Sequence, residues 1–169
     1  MTFKVEDGTA QDDATSYASV AGFVAYWADR GIDYSDTEGE DVQAALVKAT
    51  DYVELRYSTR WKGRRKTLEQ ALSWPRVGAF DRDNAPLAAD AVPVRLVRAV
   101  YEYAKRALVA ELLPDPTVDP NVASTSVSVG PISESVTYSG GASIQTIKPY
   151  PMADRWLDEL TAPAGGVYR

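Results

Sequence analysis

The sequence predicts a mainly α protein, a small bundle of about four helices with a β-hairpin or extended β arm between the third helix and the last. Three observations predict it. Apolar residues recur at helical spacing through residues 16–30, 41–57 and 93–113. Beyond a proline-rich stretch at 114–123 the period changes to two, so that Val127, Val129, Val136 and Tyr138 alternate with Ser and Thr. A chain of 169 residues, 45% hydrophobic, is one domain of common size with enough apolar content for a real core.

Residues 1–15 are polar and read as extended, with Asp12, Asp13, Thr15 and Ser16 offering helix N-caps. In the first helix, 16–30, Val20, Phe23, Val24 and Trp27 share a face, and Gly31 supplies a stop. The acidic turn that follows, 33–41, fails as a calcium loop: Glu38 stands where glycine is required and Ala44 where the distal Glu belongs. Its acids instead suit the N-terminus of the second helix, where the helix dipole favours negative charge. That helix, 41–57, buries Val42, Leu46, Ala49, Val53 and Tyr57.

Next come a basic patch, Arg60-Trp61-Lys62-Gly63-Arg64-Arg65-Lys66, and the stretch Gln70-Ala71-Leu72-Ser73-Trp74-Pro75-Arg76. Pro75 donates no hydrogen bond and pushes Trp74 toward extended geometry, so the pair reads as a rigid corner with the indole filling a core or interface. The patch admits three readings: single-stranded nucleic acid held by charge and stacking, an acidic protein surface, or a solvated face. The tract 81–86 is a polar turn. Pro93 opens the third helix, with Leu96 or Val97, Val100, Tyr101, Ala104, Leu108 and Leu112 on its apolar stripe. Arg95, Arg98, Glu102, Lys105 and Arg106 are expected to face outward, until Pro114 and Pro116 end the helix.

Residues 1–113 are thus expected to form a helical core, 124–148 a β arm, 149–161 a C-terminal helix carrying Trp156, Leu157 and Leu160, and 162–169 a tail. Two strands alone are marginally stable in water, so the arm, with Val127, Val129, Ile132, Val136 and Tyr138, is expected to pair with the helical body or a neighbouring subunit.

Composition excludes several chemistries. The chain has no Cys and no His, which removes zinc sites built on them, thiolate nucleophiles, disulfides and a Ser-His-Asp triad. No spacing singles out a pair of carboxylates, so no enzyme and no cofactor are expected. A formal net charge of -6 disfavours a protein whose main task is to grip phosphate backbones. No run approaches the roughly 20 apolar residues of a membrane helix, and residues 1–8 lack a signal-peptide core. A soluble protein made inside the cell is the expectation.

Six marks follow one another along the chain: Ser16-Tyr17-Ala18-Ser19, Ala49-Thr50-Asp51-Tyr52-Val53, the 70–76 stretch, Val92-Pro93 with Ala99 and Ala104, Val127-Ser128-Val129-Gly130, and Trp156-Leu157. Their order resembles the small head–tail connector, or neck adaptor, proteins of tailed bacteriophages, many of which carry the label DnaT-like single-stranded-DNA-binding protein. The marks span nearly the whole chain, and 70–76 is the most specific of them. The resemblance implies a virion protein of the head–tail junction, made in the bacterial cytoplasm. It implies a ring of about twelve subunits beneath the portal, with duplex DNA passing through unbound and the next neck or tail protein docking below. In that setting Arg60, Trp61, Lys62, Arg64, Arg65 and Lys66 are candidates for docking on the portal or a neighbour, and the arm for the inter-subunit contact. The alternative is a single-stranded-DNA-binding module using residues 60–66.

Overall fold

The computed structural model describes residues 2–113, 124–129, 132–137 and 148–162, the strands 124–129 and 132–137 by their backbone alone. Along the chain run α1 (Val20–Ala28), α2 (Gly39–Tyr57), β1 (Arg64–Arg65), β2 (Arg76–Val77), α3 (Val94–Ala107), β3 (Ser124–Val129), β4 (Ile132–Thr137) and α4 (Pro151–Leu157). The protein is therefore mainly helical with a small β part. Residues fall into two units, Met1–Leu112 with Pro149–Arg169, and Leu113–Lys148.

In the first unit α3 packs between α2 and α4, and α1 rests on α2 with Phe23 in the core. Leu46, Val53, Leu96, Val100, Leu157 and Leu160 are almost wholly buried, as the helical spacing of each segment requires. Truncating any such leucine to alanine typically costs about 2–5 kcal/mol.

Helix ends depart from the sequence reading at both helices that flank the arm in sequence. α3 ends at Ala107, with Leu108 as its C-cap, rather than near 113 before Pro114. α4 covers only Pro151–Leu157 of the expected 149–161, and the chain turns at 108–110 and 158–160. Two further departures follow from local chemistry. α1 starts at Val20, capped by the Ser19 hydroxyl, which accepts from Gly22 N at 3.1 Å, rather than at Ser16. Ser16 instead lies in an extended strap, bridged to Val5, where its backbone carbonyl accepts from Glu6 N at 2.8 Å. Glu102, expected outside, is buried on α3: its carboxylate accepts from Tyr26 Oη at 2.9 Å and from the Arg106 guanidinium at 3.0 Å. Pro93 precedes α3 as its N-cap residue, and α4 has Pro151 in its first turn. The Asp154 carboxylate then reaches back to Tyr150 N at 3.0 Å and satisfies a donor that the helix start leaves open.

The second unit carries the predicted hairpin. β3 and β4 pair antiparallel from Ser124↔Thr137 to Val129↔Ile132. Because paired positions share a face and successive ones alternate, the register places Thr125, Val127, Val129, Ile132, Glu134 and Val136 on one face. The other face is Ser124, Ser126, Ser128, Ser133, Ser135 and Thr137, without exception Ser or Thr.

Candidate docking site

The basic patch does not stay together. The chain leaving α2 turns inward at Trp61, whose ring lies 5.8 Å from Tyr57 and meets Trp74 edge-on at 6.0 Å and 88°. Trp61 is buried, and Trp74 entirely so. Neither offers a face on which a base could stack. Arg60 and Lys62 flank this seam half-buried, and both are spent on backbone carbonyls. The Arg60 guanidinium donates to Ala162 O at 3.1 and 3.2 Å; Lys62 Nζ donates to Glu159 O at 2.8 Å and Phe80 O at 3.3 Å. Three of the six candidate residues thus stitch the end of α2 to the end of α4.

Gly63 separates them from the rest. Its φ of +68° belongs to the left-handed region, and a Cβ there would stand 2.6 Å from Val77 O. The reversal sends Arg64, Arg65 and Lys66 out along β1, where all three are exposed. The Arg64 backbone pairs with Val77 in the β1–β2 ladder, and its guanidinium has no hydrogen bond or ion pair among the described residues. Arg65 donates to Gln70 O, and Lys66 Nζ to Gly8 O at 3.1 Å. Leu68, at the head of the same hairpin, is 87% exposed. This projecting edge, three cations and one leucine, is what remains of the patch as a surface.

A dense polar scaffold holds the edge from behind, and little of it is visible in sequence. Gln70, buried, accepts from Thr67 N at 2.8 Å and donates to Leu72 O and Pro75 O at 2.7 and 3.2 Å. Glu54 of α2 accepts from Ser73 N and Oγ at 3.1 and 2.6 Å and from the Tyr17 hydroxyl. Tyr17 Oη in turn accepts from Trp74 N at 3.0 Å. Burial, followed by the Glu54 carboxylate, pushes the Tyr17 hydroxyl well above its ordinary pKa and keeps it a neutral donor. The Trp74–Pro75 bond within this corner is cis. Arg76 is buried beneath it and donates to Lys62 O, Gly63 O and Ser73 O at 2.7, 2.7 and 3.1 Å. Desolvation lowers the Arg76 pKa, with Tyr17 and Glu54 opposing that shift.

Of the arm candidates, Val127, Val129, Ile132 and Val136 occupy the one face that the β3–β4 register defines, and Tyr138 lies outside the described residues. Among the described residues no group of three or more His, Cys, Asp or Glu could hold a metal ion, and no helix is long and apolar enough to cross a membrane.

Compared with known protein families, residues 1–169 match the model of the family described as "Putative DnaT-like ssDNA binding protein". No curated protein and no solved structure matches the chain.

Proposed function

The chain belongs to the DnaT-like ssDNA-binding protein family, and within that family we propose that it is a structural protein of a phage virion, a head–tail adaptor. On this reading it forms a ring of about twelve subunits beneath the portal, extends the DNA channel and presents a platform to the next neck or tail protein. The observation that carries the reading is the β3–β4 ribbon inserted between α3 and α4, with Val127, Val129, Ile132 and Val136 on one face and only Ser and Thr on the other. A lone two-stranded ribbon is marginal in water, and one with a single apolar face gains stability by laying that face on another surface. Head-to-tail rings use such heterologous contacts. The net charge of -6 also suits a channel wall past which duplex DNA slides. The protein acts without a cofactor and is not an enzyme.

The test is the mass of the purified protein in solution, alone and mixed with its cognate portal, with labelled single-stranded DNA in a parallel run. A subunit or closed ring that joins the portal and ignores DNA supports the adaptor. Removing residues 126–141 is expected to abolish ring assembly; unaffected assembly would eliminate the arm as an interface.

The family description favours a second reading, a single-stranded-DNA-binding module. It predicts oligonucleotide binding that weakens steeply with salt and depends on Arg64, Arg65 and Lys66. The burial of Trp61 and Trp74 removes the stacking half of that mechanism from the 60–66 segment. Salt-sensitive DNA binding without portal association would establish this second reading over the first.

A further inference from the structure

Charge is segregated along α2. Residues 33–41 hold Asp33, Asp36, Glu38, Glu40 and Asp41 with no Lys or Arg among them. All five acids are exposed, and none forms a salt bridge with a described residue. Residues 60–66 hold five cations and no acid. The part of α2 from Val42 to Tyr57 lies between the two segments, a separation of about 24 Å at 1.5 Å per residue. Both ends are fixed to the helix. Tyr34 packs on Phe23 at 5.0 Å on the acidic side, while the Glu54–Ser73 bonds and the Tyr57–Trp61 contact hold the basic hairpin on the other. Asp7, Asp12 and Asp13 of the loop beside Lys66 offset part of the positive charge, and Asp13 is itself paired with Lys4. The basic end also carries two exposed leucines, Leu55 at 76% and Leu68 at 87%.

A subunit with opposite charges at the two ends of its longest helix is complementary to a second copy of itself placed head to tail. We propose that the basic edge, Arg64, Arg65 and Lys66 with Leu68, docks on the acidic α1–α2 connection, Asp36, Glu38 and Glu40, of the next copy of this chain. This deepens the ring reading and rests on it. The contact is heterologous: each subunit uses one end as donor and the other as acceptor, the kind of contact that generates a ring where the rotation closes. Opposite-sign patches of this kind set register and speed association, and like-charge placement across such a contact is strongly unfavourable.

Two reversal variants test it by sedimentation, alone and on the portal: Arg64→Glu/Arg65→Glu/Lys66→Glu, and Asp36→Lys/Glu38→Lys. Each alone is expected to self-associate at least about a hundredfold more weakly than the parent chain. Mixed in equal amounts they are expected to recover assembly, because the acidified hairpin of one meets the basified loop of the other. Arg64→Glu by itself, at a side chain with no hydrogen bond or ion pair among the described residues, is expected to weaken assembly about tenfold. Circular dichroism and melting temperature establish that each variant is folded. A folded reversal variant that assembles like the parent, or a mixture that recovers nothing, overturns the inference and leaves the ring intact. A parent chain that never self-associates, alone or on the portal, overturns the ring reading and this inference together.

Discussion

Arg65 and Arg76 face each other across a two-residue ladder, and almost nothing else about them is alike. Arg76 is buried and gives its N–H groups to three carbonyls, those of Lys62, Gly63 and Ser73. Arg65 is exposed and donates to one, Gln70 O. One arginine is a strut and its neighbour a surface. The lesson extends to the strands that carry them: 70–76 is an internally bonded corner, and 64–66 is the edge that the corner presents.

The largest expected effect tests the strut. Arg76→Met removes the donor from three part-buried carbonyls and is expected to cost about 3 kcal/mol in urea unfolding, against less than about 1 kcal/mol for Arg65→Met. Equal losses would erase the distinction. Glu54→Ala comes next, at about 2 kcal/mol, because Ser73 N and the Tyr17 hydroxyl lose their acceptor while the exposed edge is untouched.

Alkaline pH sharpens the contrast between inside and outside. Burial raises the pKa of Tyr17, Tyr26, Tyr34, Tyr52, Tyr57, Tyr101, Tyr103 and Tyr150. Groups held neutral in the fold contribute stability that is complete below their unfolded pKa of about 10 and lost as pH rises toward the folded values. The melting temperature is therefore expected to fall above about pH 10, with tyrosinate absorbance appearing together with unfolding. The smallest effect is at the surface. The Thr9 hydroxyl, then its backbone N–H, holds the exposed Asp7 carboxyl at about 2 rather than 3.8. That contribution is present above the ordinary value and lost as pH falls through the folded one. Thr9→Ala is expected to raise the Asp7 pKa in an NMR titration while stability at pH 7 scarcely changes.

Helix spacing made the core legible: the stripes of α2 and α3 lie where their periods put them, and the change to period two found the β3–β4 ribbon. What failed was information carried by distant partners. Glu102 looks like half of a solvated i,i+4 pair with Arg106 until Tyr26, 76 residues away, arrives at its other oxygen. Ser16 and Ser19 are equally good caps by residue type, and the bridge to Val5 decides between them. β1 and β2 are two residues long, too short for any period to register. The segment 60–66 reads as one patch because its residues are contiguous. A left-handed glycine in the middle divides it between a seam and an edge, and only side-chain placement reveals the division.

The Tyr150 hydroxyl donates to Leu112 O at 2.9 Å, so the two points where the chain leaves and re-enters the helical unit are clasped together. With Leu112 and Tyr150 so joined, the helical unit is closed on itself whatever the length of the connection between them, and closure entropy grows only slowly with that length. A change between residues 113 and 148 is therefore expected to be read in assembly rather than in the melting of the helices.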